Sequence, residues 1–92
     1  MRLNNKWNVK EVIKELEDLN DEGKYVFHPD DQYEFYKNNL TDKTFNLIDF
    51  YCPDEFDEIE EVKGECTRSE DGLYACKRCF LRNLKYIMDK AK

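Results

Sequence analysis

Four cysteines, Cys52, Cys66, Cys76 and Cys79, lie within the last 41 residues of the chain, the closing pair spaced Cys76-Lys77-Arg78-Cys79. A Cys-x-x-Cys turn presents two sulfurs to one tetrahedral ion, and the more distant pair completes the shell once the chain folds back. The expectation is one structural zinc held by all four thiolates. Two disulfides are the rival reading, and they need an oxidising compartment. Met1 through Trp7 is polar and runs into an amphipathic segment with no apolar signal core. No stretch reaches the ~18 apolar residues of a membrane span. The expected home is therefore the cytosol, where paired cysteines hold metal more often than they crosslink. Redox thiols are a third reading, weakened because no thioredoxin-like strand-helix-strand pattern surrounds Cys76 and Cys79.

Four thiolates on a divalent cation carry a net charge of about −2, which needs donors and cations around it. Lys77 and Arg78 inside the motif, Arg82 and Lys85 beyond it, and the N–H groups of a helix starting at the motif are the expected suppliers. His28, the only histidine, could replace one thiolate but is distant in sequence, and a turn residue before Pro29 is the expected role. Catalytic zinc keeps an open coordination position and a nearby base, and neither is foreshadowed. There is no nucleophile–His–acid set and no phosphate-cradling loop among the three glycines, Gly23, Gly64 and Gly72. The expectation is a protein that is not an enzyme.

Ninety-two residues make one domain, read as a helical part over 1–51 and a zinc-binding part over 52–92. So small a core gains from a staple, and its 13 aromatic side chains bury much area per residue. Val9, Val12, Ile13, Leu16 and Leu19 repeat at helical spacing behind an Asn8 cap with Glu11 three residues on, and Trp7 can staple onto Val12, which predicts a helix over about 9–21 ended at Gly23. Lys24 to Phe27 is a short β-prone run. Tyr33, Tyr36 and Leu40 predict a helix over about 31–40. Residues 44–51 fit either strand alternation or a helix, and the reading leans to helix. Lys63-Gly64 and Asp71-Gly72 flank Cys66 with turn signals, predicting a short hairpin or loop over 62–77. Phe80, Leu81, Leu84, Ile87 and Met88 predict a closing helix over about 77–90. The expected class is α+β, mostly helical.

The net charge of −6 is unevenly placed, with balances of −1 over residues 1–28, −10 over 29–74 and +5 over 75–92. An acidic middle repels nucleic acid and attracts a basic protein surface. Aromatics interleave with the acids, so a partner surface is expected at Asp54, Glu55, Asp57, Glu58, Glu60 and Glu61, with Tyr33 and Phe56 as anchors. The competing function is a zinc-ribbon-like nucleic-acid binder using Lys77, Arg78, Arg82, Lys85, Lys90 and Lys92.

Residues 50–92, with Phe50-Tyr51-Cys52-Pro53-x-x-Phe56, Cys66, and Cys76-x-x-Cys79-Phe80 before a helix, resemble a four-cysteine module of small proteins from Gram-positive bacteria and their phages. In that family a Cys-Pro-x-Asp-Tyr/Phe segment precedes a Cys-x-x-Cys-Trp helix start. Here Phe80 stands for the Trp and Glu55 for the Asp, and the intervening loop is acidic. With its size and acidity, the chain resembles phage-encoded anti-CRISPR proteins of the zinc-containing kind. That resemblance implies binding to the type II effector nuclease Cas9 in the bacterial cytoplasm and blocked loading of target DNA. It carries over no functional residue beyond the four cysteines.

Overall fold

The computed structural model describes residues 8–19, 28–57 and 59–90. In chain order the elements are α1 (Val9–Asp18), α2 (Pro29–Asn39), α3 (Asp42–Phe50), a 3-10 turn (Pro53–Glu55), α4 (Arg68–Asp71) and α5 (Leu73–Lys90). The chain is mostly helical, as expected, and among the described residues there is no strand, so the β part of the α+β expectation is not seen there. The segment expected as a hairpin or loop is an irregular run followed by the single turn of α4 and the start of α5. The β-prone run from Lys24 to Phe27, the stop at Gly23 and the staple from Trp7 lie outside the described residues.

Helix α1 begins where Asn8 accepts hydrogen bonds from the N–H groups of Lys10 (3.0 Å) and Glu11 (3.3 Å). It buries Val12, Ile13 and Leu16 on one face. In α3 the burial of Thr44, Phe45, Leu47 and Ile48 follows the helical period and resolves the strand-or-helix ambiguity. Thr41 caps it, and Glu15 reaches across from α1 to the same helix end. The Glu15 carboxylate accepts from Thr41 N–H (2.8 Å) and from the Thr41 and Thr44 hydroxyls. A carboxylate there meets both free N–H donors and the positive end of the helix dipole.

Helix α5, 18 residues long, is the hub: α1, α2, α3, α4 and the 3-10 turn all pack on it. Phe80 and Leu84 sit at its buried centre, with Phe80 edge-on to Phe56 at 6.1 Å between ring centroids. The helix starts four residues earlier than its apolar pattern suggested. Gly72, at φ +65°, makes the break between α4 and α5, and a Cβ there would run into the side-chain oxygen of buried Gln32. That oxygen accepts from Tyr74 N–H (3.4 Å), so a side chain on α2 helps close the first turn of α5.

Candidate metal centre

The early start of α5 places Cys76 and Cys79 inside the helix rather than in a turn before it. Three residues apart, they share a helix face. Cys52 follows the end of α3, where Tyr51 N–H still bonds to the Leu47 carbonyl, and precedes the 3-10 turn. Its N–H donates to the Glu55 carboxylate at 2.6 Å, fixing the turn around it. Cys66 lies in the irregular segment before α4. Segments far apart in sequence thus converge: all four cysteines line one cavity of about 300 Å³, walled by Tyr51, Pro53, Val62, Ala75 and Phe80.

All four are free thiols, Cys76 and Cys79 buried on the helix, Cys52 and Cys66 exposed at the mouth. Burial pushes the Cys76 thiol up, opposed by the Arg68 guanidinium, whose Nη1 donates to its sulfur at 3.4 Å. Burial raises Cys79 as well, opposed by Arg82 and by Asn83, whose Nδ2 lies 3.5 Å from the sulfur. Cys52 is raised by burial against a hydrogen bond from the Asp54 backbone. Charge on Cys79 is felt by Cys52 and Cys76, and charge on Cys66 by Cys76 and Cys79, so the sulfurs form one electrostatic group.

Among the described residues no three His, Cys, Asp or Glu side chains are gathered closely enough to make a coordination shell. The donor set nonetheless fits a four-thiolate ion in kind and number. Zinc–sulfur bonds of about 2.3 Å require the sulfurs to draw in from the cavity walls. Cys76 and Cys79 ride on the hub helix, whereas Cys66 sits on a segment without regular structure, so closure on an ion would fall mainly to the latter.

That segment is clamped to α5 next to Cys79. Asn83, fully buried, accepts from Lys63 N–H (2.8 Å) and donates to the carbonyls of Cys79 (2.8 Å) and Lys63 (3.3 Å). Arg82 Nε donates to the same Lys63 carbonyl at 2.7 Å. Gly64, at φ +87°, makes room for this, since a Cβ there would overlap the Arg82 guanidinium. Neither Arg68 nor Asn83 stands out in the sequence. Lys77, expected beside the sulfurs, is instead buried with its ammonium on the Leu19 carbonyl (3.2 Å) at the end of α1. Lys85 pairs with Glu17 at 2.7 Å, also on α1, and Arg78 stacks over Tyr74. Lys90 sits over Tyr86, and Lys92 lies outside the described residues. Of the basic residues expected to serve the sulfurs, Arg82 alone stands beside one. His28 is exposed at the start of α2 and does not line the cavity.

The expected partner residues divide as well. Asp54, Asp57, Glu60 and Glu61 are exposed, while Glu55 is exposed but holds the Cys52 turn, and Glu58 lies outside the described residues. Tyr33 is 43% exposed and packs edge-on against Phe45. Phe56, at 8% exposed, is a core residue against Phe80 and not a surface anchor, whereas Phe50, one of the interleaved aromatics but not an expected anchor, is 71% exposed. No helix among the described residues is long and apolar enough to cross a membrane. Comparison with protein-family models, curated proteins and solved structures finds no match to this chain.

Proposed function

We propose that the chain is a zinc-stapled, non-enzymatic binding protein that engages a basic partner through its acidic face. The observation that carries the metal reading is the convergence of Cys52, Cys66, Cys76 and Cys79 on one cavity, with guanidinium and amide donors from Arg68 and Asn83 at its sulfurs. The binding reading is supported by exposed Asp54, Asp57, Glu60 and Glu61, with Phe50 and Tyr33 as apolar contacts. The nucleic-acid alternative loses support from the same residues that suggested it, since Lys77, Arg82 and Lys85 are engaged with other parts of the fold. On the resemblance of residues 50–92 and the acidity of 29–74, the partner we propose is Cas9, whose nucleic-acid channel the acidic face would occupy.

Elemental analysis of protein purified without chelators tests the first part. About one equivalent of zinc is expected, lost in Cys76→Ser, while under half an equivalent, or iron in its place, overturns it. A pull-down from cells containing Cas9 tests the second. Reversal of Asp54, Asp57, Glu60 and Glu61 to Lys is expected to slow association and flatten its salt dependence, and Phe50→Ala to speed dissociation. Direct binding of DNA or RNA at physiological salt by a chain that ignores Cas9 would refute the inhibitor reading.

A further inference from the structure

A second cavity, of about 370 Å³ and lined by no cysteine, opens between α2, α3 and α4. Asp30 and Tyr33 line it from α2, Asp49 from the end of α3 and Glu70 from α4. Three carboxylates thus share a cleft whose lining holds one cation, Arg68. The Asp49 side chain is 17% exposed, and Nη2 of Arg68 stands off from its carboxylate at 3.8 Å. The hydrogen bond from Arg68 goes instead to the Asp49 carbonyl, at 3.2 Å, and among the described residues the carboxylate itself accepts none. A carboxylate so far withdrawn from water has about four lone-pair sites to fill, and here they open on a cleft.

We propose that this cleft is the docking socket for an arginine side chain of the partner protein, with Asp49 as its acceptor and Tyr33 as its aromatic wall. This rests on the reading of a basic partner above and gives it an anchor, since the exposed acids over 54–61 steer at long range and are screened by salt. Charge decides against a phosphate, because three acids and one arginine leave the cleft at about −2. Spacing decides against a metal ion, since among the described residues no three His, Cys, Asp or Glu side chains come close enough together to share one. A guanidinium is planar and carries five N–H donors in a rigid fork, so it bridges acceptors that a compact charge cannot reach at once. Tyr33, 43% exposed and held edge-on to Phe45 at 5.1 Å, offers the flat cation a surface. Lys37, 5.6 Å from the same ring centroid, does not line the cleft. The volume, at the small end for ligand clefts, suits one side chain rather than a helix.

The probe is the peptide acetyl-Gly-Arg-Gly-amide, followed by amide chemical shifts of the isotope-labelled chain, with the lysine and citrulline peptides beside it. Arginine is expected to move the signals of Gln32, Tyr33, Glu70 and Gly72, which line the cleft. Lysine is expected to bind at least about threefold more weakly, and citrulline, which keeps the shape without the charge, to move nothing. Asp49→Asn is expected to weaken arginine binding about tenfold with signals far from the cleft in place, and Glu70→Gln, at the exposed rim, by about twofold or less. Arginine shifts spread over 54–61, citrulline binding as well as arginine, or lysine matching it would overturn the socket, each read on wild type and so independent of how well Asp49→Asn folds. Unchanged affinity in a folded Asp49→Asn would overturn it too. A chain that captures Cas9 yet shows no cleft shifts sinks the socket and leaves the basic-partner reading standing. Cleft shifts in a chain that ignores Cas9 support the socket and remove Cas9 as the partner.

Discussion

Replacing Asn83 by Ala removes the clamp that holds the Cys66-bearing segment to α5, and its cost follows from which groups are left without partners. The Lys63 carbonyl keeps its 2.7 Å bond from Arg82, so it remains satisfied. The Lys63 N–H loses its acceptor at 2.8 Å. An orphaned buried donor costs about 1–3 kcal/mol, and because Lys63 is half-buried, water recovers part of it, which puts the loss near the lower half, about 1–2 kcal/mol. In a domain of this size each kcal/mol moves the melting midpoint by about 4–8 °C, so a fall of roughly 4–16 °C is expected for the metal-free protein by calorimetry. Asn83→Asp sharpens the test: it retains the acceptor for Lys63 N–H but sets a carboxylate beside the Cys79 sulfur in place of a donor. The aspartate variant, its second oxygen facing the Cys79 and Lys63 carbonyls at a fully buried position, should lose more metal-free stability than the alanine variant and bind metal more weakly than it does. A wild-type midpoint for Asn83→Ala, or equal metal affinity for the two variants, would refute the reasoning.

Three further outcomes follow from the same contacts. Burial raises Cys52, Cys76 and Cys79, so above the ordinary thiol range the unfolded chain gives up protons that the folded one keeps. Metal-free stability should accordingly fall as pH rises from about 8.5 upward, while metal-loaded protein, its thiolates already formed, should show no such decline in urea titrations. Gly72→Ala forces a Cβ into the Gln32 side chain at a left-handed backbone position and should cost about 1–3 kcal/mol, read as a lower urea midpoint. Glu15→Ala strips α3 of the carboxylate at its N-terminus and should cost about 2 kcal/mol, with faster amide exchange at Thr41 in particular.

Sequence reasoning reached the helices whose signals are local. Asn8 followed by an i, i+3, i+4 apolar stripe announces α1 because the cap and the buried face both lie within a few residues. The start of α5 was missed because Gly72 to Ala75 lacks a continuous stripe and is set by Gln32, about 40 residues upstream. Turn one of α4 carries no apolar residue, and Thr67 bonding to Asp71 at 2.7 Å braces it. The cysteines were legible by type and spacing, and the fold places all four around one cavity. Arg68 and Asn83 were not legible, because a polar side chain declares its role only through a partner, here Asp49 and Lys63, about 20 residues away. Lys77 misled for a related reason: adjacent to Cys76 in sequence, it is rotated about 100° around the helix and faces α1 instead.

Because every other helix packs on α5, chain order has a consequence for biosynthesis. Helices α1 to α4 emerge from the ribosome before the surface that buries their apolar faces exists, and Cys52 and Cys66 emerge before the pair on α5 that would share their ion. Until α5 clears the exit tunnel the nascent chain is an acidic polymer of short helices held mainly by local contacts, with α2 against α3 and the Glu15 link from α1 to α3 the pairings open to it. Collapse is therefore a late event, as any metal capture by the four cysteines would be, and a ribosome stalled before Phe80 should hold a protease-sensitive chain.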